Sequence, residues 1–334
     1  MNVAIVGCGG LGRVHAECYS RIDGVTVVGV CDMDEGAART VSAMTGAAVY
    51  PTYEEMLERS GCDIVSIALP SHLHASFAIR AAAAGKHIVC EKPIALRTED
   101  AEAMIEACDR HGVRLFVGHV VRFFPEYAKV REQIAGGALG RVGVVHAKRA
   151  GSHPGDAREW FADDSRSGGV VVDLMIHDLD YLLWTLGDVR SVYAHRIRRD
   201  RLDYASATLV FESGAIANVE AQWGYPGPFH TTMEVAGSQG IVRHDSRTSS
   251  PLAIRRTVTG ESGGPFVEVP QRPELRSPYE LELRHFIDCI RDGSEPIVTA
   301  RDACRALRLA EAVLESASTG RVVYPGSQAK EETR

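Results

Sequence analysis

Several absences narrow the class of this chain before any motif is considered. Its 334 residues contain no uninterrupted apolar run near the roughly 20 residues that a helix needs to span a bilayer. The opening residues read as a strand, not as the basic and apolar regions of a secretory leader, so the expectation is a cytoplasmic protein with no membrane association. The eight cysteines, at 8, 18, 31, 62, 90, 108, 289 and 304, show no Cys-x-x-Cys spacing, which leaves neither a zinc site nor a disulfide framework indicated. Positive charge is also scarce: 37 Lys and Arg against 44 Asp and Glu give a net charge of -7, which disfavours a nucleic-acid surface. No internal repeat or low-complexity tract is present. The remainder, 45% hydrophobic and 24% charged, is ordinary for a globular protein, and the length predicts two domains.

The first thirty-two residues carry the most information. Val3-Ala4-Ile5-Val6 is short, apolar and mostly β-branched, as a strand buried on both faces should be. It runs into Gly7-Cys8-Gly9-Gly10-Leu11-Gly12, with glycines at the three positions of the G-x-G-x-x-G fingerprint. Gly7 permits the tight turn, Gly9 admits a pyrophosphate and Gly12 lets the helix lie close to the strand, with Gly10 and Leu11 opening that helix. Its N-terminal N–H groups then suit phosphate. Asp32 lies twenty residues past Gly12, where a carboxylate accepts hydrogen bonds from a ribose diol and repels a 2′-phosphate. NAD is therefore expected over NADP, although Arg39 on the next helix could serve a phosphate.

Strands and helices then alternate. Helices are expected at 34–45, from Thr52, from about Ser71 to Ala84, and at 98–111, with Thr52 and Glu55 forming a capping box. Strands are expected at 47–50, 63–69, 86–90 and 114–119. This rhythm predicts a doubly wound parallel sheet, which binds ligands beyond the carboxyl ends of its strands. Besides the glycine turn and Asp32, those ends carry Pro70, His72, His74, Glu91, Lys92, His119 and Arg122. Lys92, beside Pro93, can hydrogen-bond a substrate oxygen and stabilise alkoxide character. His74 and Arg122 are read equally well as cofactor contacts or as surface residues.

Beyond residue 123 the pattern changes. A helix at 125–135, a strand from Val142 and a Gly-, Asp- and Ser-rich loop at 151–169 precede the apolar segment Val170 to Leu186. Period-two runs follow to about 270, clearest at Ala217, Val219, Ala221 and Trp223, and predict a mostly antiparallel sheet. Turns are expected at 246–250 and 260–264. Helices at 279–291 and 300–318 close the chain. Two domains and a tail result: 1–122, 123–325 and a loose tail at 326–334. In the apolar segment, Asp173, His177 and Asp180 fall on one stripe of a helix. Either they satisfy one another in the core, or His177 is an acid/base with Asp173 orienting it. H-x-x-D also resembles half of a metal site, but no further ligand supports one. His153 and Trp160 lie in the preceding loop as candidate substrate-covering residues.

G-C-G-G-L-G at 7–12, P-S-H-L-H at 70–74, E-K-P at 91–93 and G-G-V-V-V-D-L-M-I-H-D-L-D at 168–180 together resemble the glucose-fructose oxidoreductase and inositol dehydrogenase family, written Gfo/Idh/MocA. The resemblance runs over nearly the whole chain. It implies an N-terminal Rossmann domain and a C-terminal α/β domain with an open, mainly antiparallel sheet that forms the interface of a homodimer or homotetramer. It further implies that Lys92, Asp173 and His177 are catalytic, that Asp180 binds substrate hydroxyls, and that Arg122 assists the cofactor. The implied activity is NAD-dependent hydride transfer at a ring alcohol of a cyclic polyol or sugar. Two other uses of the scaffold are an enzyme that retains its cofactor for transient oxidation and a dinucleotide-binding sensor or repressor without turnover.

Overall fold

The structure is a computed structural model, and the residues described are 1–248, 252–256 and 276–326. Positions 249–250, the turn expected at 260–264 and the tail beyond 326 lie outside them. The chain divides into two compact units.

In the first unit, β1 (Asn2–Val6), α1 (Gly10–Tyr19), β2 (Thr26–Cys31), α2 (Glu35–Thr45), β3 (Ala48–Val49), α3 (Tyr53–Arg59), β4 (Ile64–Ile67), α4 (His74–Ala83), β5 (His87–Glu91), α5 (Thr98–His111) and β6 (Leu115–Gly118) follow in order. The strands form a six-stranded sheet in the order β3-β2-β1-β4-β5-β6, and every pair is parallel. Strand order reverses between β1 and β4, the crevice where such sheets take ligands. Local chemistry sets the helix ends. Asp34 caps α2 by accepting from the N–H groups of Gly36 and Ala37, Thr52 caps α3 by accepting from Glu55, and Gly46 and Gly112 end α2 and α5 in the left-handed conformation. Only half of the expected capping box forms, because the Glu55 carboxylate pairs with Arg59 at 3.2 Å.

The second unit begins with α6 (Pro125–Ala135) and β7 (Val142–Gly151). The loop at 151–169 holds two 3₁₀ turns and the short helix α7 (Asp164–Ser167). A π-helical turn, Val171–Met175, leads directly into α8 (Ile176–Leu186). Strands β8 (Val189–Arg199), β9 (Leu202–Phe211), β10 (Ile216–Trp223), β11 (His230–Gly237), β12 (Gly240–Asp245) and β13 (Leu252–Arg256) join β7 in a seven-stranded sheet ordered β13-β12-β11-β7-β10-β9-β8. Only β7 and β10 run parallel, and the other pairs are antiparallel. The period-two pattern is borne out: in β9 the burial alternates strictly from Leu202 to Phe211.

The chain closes with α9 (Pro278–Asp292) and α10 (Ala300–Thr319). Residues 123–325 were expected to form one domain, yet α9 packs in the first unit. Its apolar stripe, Leu283, Phe286 and Ile287, joins the core that contains Val3, Ile5 and Phe116, and Phe286 stacks on Phe116 at 5.0 Å between centroids. Hydrophobic burial is indifferent to sequence separation, so an amphipathic helix near one end of a chain can complete a core begun at the other.

Candidate active site

In the first unit, the glycine turn is shaped by space. At Gly7, φ is +88° and a Cβ would overlap the carbonyl of Ala68, while at Gly12 a Cβ would overlap the carbonyl of Gly7. Helix α1 therefore starts tight against the turn, and no side chain caps its N-terminus at Gly9. Those N–H groups and the positive end of the helix dipole fit a pyrophosphate. Asp32 stands at the end of β2, its Oδ2 accepting from Cys8 N–H at 2.6 Å and its Oδ1 from Asp34 N–H at 2.8 Å. The carboxylate is thus oriented before any ribose arrives, and each oxygen keeps a lone pair for a hydroxyl. Burial, followed by the Asp32 charge, pushes the Cys8 thiol up to about 12, so this loop cysteine stays protonated at neutral pH. Arg39, the alternative partner for a 2′-phosphate, is instead bonded to Glu35 one helical turn away at 2.5 Å.

The ends of β4 and β5 are joined by side chains. After Pro70 a 3₁₀ turn, Ser71–Leu73, leads into His74, which is 1% exposed. Its Nδ1 lies 2.7 Å from the Pro93 carbonyl oxygen and its Nε2 lies 2.9 Å from that of Leu69. Both ring nitrogens are therefore engaged by main chain. Glu91 ends β5 and is also buried. Its Oε1 meets His15 Nε2 at 2.8 Å, and its Oε2 accepts from Lys92 N–H at 3.3 Å. Burial raises the Glu91 pKa, but the His15 hydrogen bond and the neighbouring positive groups more than offset it, leaving the carboxyl below its ordinary value. The Lys92–Pro93 peptide is cis. Arg122, 3% exposed, donates through Nη1 to the Ile297 carbonyl at 2.7 Å and to Asp302 at 3.3 Å, so this nitrogen braces the C-terminal segment of the unit.

In the second unit, the polar stripe differs from the one expected. From Val171 to Asp180 every residue is buried except Asp173 and His177. The π turn closes i to i+5 hydrogen bonds and rotates the residues after it relative to a continuous α-helix. Asp173 and His177 are partly exposed, whereas Asp180, expected beside them, is 1% exposed. Asp178 is buried as well, and its Oδ2 accepts from Arg149 Nε at 2.7 Å. Burial pushes the Asp178 pKa up and the Arg149 charge opposes it. Arg149 also donates to the Tyr127 hydroxyl at 3.1 Å, fastening α8 and α6 to β7. His153 is buried, accepts from Gly155 N–H through Nδ1 at 3.0 Å and packs its ring on Trp223 at 5.2 Å. Burial lowers its pKa, in keeping with a neutral ring protonated at Nε2.

The structure thus brings together the glycine turn, Asp32, Pro70, His74, Glu91 and Lys92 in one unit, and Asp173 with His177 in the other. Sequence reasoning missed His15, Ser66, Arg149 and Asp178. An inward-facing arginine in the alternation of β7, and a carboxylate on an otherwise apolar helix, were the available signals for the last two.

Comparison with known proteins agrees with this architecture. A family model described as an oxidoreductase family with an NAD-binding Rossmann fold matches residues 1–119, and its companion, the C-terminal alpha/beta domain of that family, matches residues 131–324. Among characterised relatives, the scyllo-inositol 2-dehydrogenase (NAD(+)) of Bacillus subtilis is 32% identical, covering 96% of this chain and 95% of its own. The D-apiose dehydrogenase of Paraburkholderia graminis is 31% identical, covering 96% and 88%. A solved structure of the WlbA dehydrogenase from Bordetella pertussis, in complex with NADH and UDP-GlcNAcA, superposes with a TM-score of 0.83 at 28% identity, covering 97% of each chain.

Proposed function

The chain belongs to the Gfo/Idh/MocA oxidoreductase family, and from that premise we propose that it oxidises a ring secondary alcohol of a cyclic polyol or sugar, or reduces the corresponding ketone, with NAD. The observation that carries this reading is the pair Asp173 and His177, the residues that stay partly exposed between Val171 and Asp180. A partly exposed imidazole and a partly exposed carboxylate on one helical segment suit acid/base chemistry.

The glycine turn, the uncapped start of α1 and the Asp32 carboxylate would hold the dinucleotide. When bound, NAD supplies the acceptor for the hydride. Lys92 hydrogen-bonds the substrate oxygen and steadies the negative charge that grows on it as the carbon-bound hydrogen leaves. His177 takes the hydroxyl proton at its ring nitrogen, and Asp173 orients the ring or holds a neighbouring hydroxyl. A panel of inositols, aldoses, sugar acids and sugar nucleotides, scored by the absorbance of NADH, tests the proposal. Reduction of NAD by a cyclic polyol or sugar supports it, and silence across the panel in both directions overturns it.

The proposed assembly is a homodimer or homotetramer formed through the open face of the seven-stranded sheet. Pairing registers put Val144, Tyr193, Ile197 and Ile216 on one face, and all four are exposed, a pattern that suits a self-complementary interface. The proposed location is the cytoplasm, supported by eight cysteines that are all buried and unbridged. Among the described residues, no helix is long and apolar enough to cross a membrane.

A further inference from the structure

Lys92 is framed by two histidines that are each 1% exposed and therefore out of reach of substrate and dinucleotide alike. On one side, Tyr19 donates to Ser66 Oγ at 3.4 Å, Ser66 Oγ meets His15 Nδ1 at 2.8 Å, and His15 Nε2 meets Glu91 Oε1 at 2.8 Å. The second Glu91 oxygen accepts the Lys92 N–H. Gly118 on β6 makes room for this carboxylate: a Cβ there would stand 3.3 Å from its carbon and both of its oxygens. On the other side, His74 reaches the carbonyl oxygen of Pro93, the residue after Lys92, and ties it to Leu69 at the end of β4.

We propose that His15 and His74 are positioning residues that bracket the Lys92 main chain from either side, and that His74 does so as an imidazolium whose counter-charge is the Glu91 carboxylate. The consequence for turnover rests on the role given to Lys92 above.

The charge follows from donor arithmetic. A neutral imidazole has one N–H, whereas the His74 ring faces two carbonyl oxygens at 2.7 Å and 2.9 Å. The neutral form would set a nitrogen lone pair against an oxygen lone pair in a buried site. The charged groups acting on the ring are Glu91 and Lys92. Burial pushes the ring the other way, below its ordinary pKa. The two effects disagree, and the contacts decide, because a buried ionised carboxylate such as Glu91 itself requires positive charge nearby. His15 meets a different need. With Ser66 donating to Nδ1, its Nε2–H points at Glu91 and keeps that carboxylate aimed at the Lys92 N–H. An error of about 1 Å in the lysine is enough to cost on the order of 100-fold in rate.

The ring charge can be read without substrate. Long-range 1H–15N spectra of the labelled protein, assigned with His74→Gln, should show both His74 nitrogens protonated at about pH 8, where an ordinary histidine is neutral. One bare nitrogen at that pH overturns the imidazolium. Glu91→Gln should lower the His74 titration by about one pH unit or more, and an unchanged titration overturns the counter-charge. For the bracket, His74→Gln and His15→Asn should each lower kcat by about 100-fold while the NADH dissociation constant, followed by its fluorescence, stays within about 3-fold. Equal loss in both, or loss in neither, overturns it. A wild-type enzyme inactive on every polyol and sugar would defeat the dehydrogenase reading alone, since the ring spectra need neither substrate nor turnover.

Discussion

The two units differ in the polar groups that they leave open to water. In the Rossmann unit, Ser66, His15, Glu91 and His74 are packed out of water and spend their hydrogen bonds on one another or on main chain. In the second unit, Asp178 is spent in the same fashion on Arg149, but Asp173 and His177, on the same helical segment, stay partly exposed. A carboxylate placed beside the candidate histidine in sequence can thus belong to the scaffold, and burial with a paired cation marks it as such. The first unit holds a lysine in place by fixing its main chain; the second holds a histidine by fixing the helix beneath it.

That contrast predicts the sizes of four effects. The largest belongs to the exposed pair. His177→Asn should lower turnover on the order of 100 to 10,000 fold with little change in thermal stability, measured by steady-state kinetics and a melting curve. Near-normal turnover would remove His177 from the acid/base role. Next comes the buried neighbour: Asp178→Ala strands the Arg149 cation and should cost about 3–5 kcal/mol in urea unfolding. Replacing both partners with apolar residues, Asp178→Leu with Arg149→Met, should recover most of that cost. If the single variant unfolds like the wild type, Asp178 does not anchor the helix.

A smaller effect is expected at the cofactor end. Asp32 accepts two main-chain N–H groups, and the adjoining Met33 is fully exposed. Exchanging them together, Asp32→Ala with Met33→Arg, should shift kcat/KM from NAD toward NADP on the order of 10 to 100 fold. A wild-type preference for NADP would contradict the role of Asp32. The smallest effect concerns acid stability. Because the Glu91 carboxyl titrates below its ordinary value in the folded chain, its stabilisation is complete above the unfolded glutamate value, about 4.3, and is lost as pH falls through the lower folded value. Urea midpoints followed from about pH 6 downward should therefore fall less steeply for Glu91→Gln than for the wild type. Parallel curves would show that Glu91 gains nothing from His15.

Local elements were the most legible. The helices over 98–111 and 125–135 form where they are expected, because their ends are marked within a few residues by a left-handed glycine or an initial proline. Thr52 and the glycine turn are readable for the same reason. The candidate site was half legible. Asp173 and His177 stand out as polar residues in an apolar run, but that Asp180 is buried, as Asp178 is, shows only in the fold. Arg122 looks like a ligand from its place after a strand, and the Ile297 carbonyl that takes its guanidinium is 175 residues away. The His15 partner, Glu91, is 76 residues away.

From sequence alone came the parallel and antiparallel halves, the glycine turn, the carboxylate at the end of β2 and the candidate lysine and histidine, because each depends on neighbours within one turn or one strand. Tertiary structure alone decided which carboxylates are buried, which histidines are packed out of water and which core receives α9. Those outcomes turn on desolvation and on partners distant along the chain, and a buried charge or an amphipathic face takes its meaning from whatever folds against it.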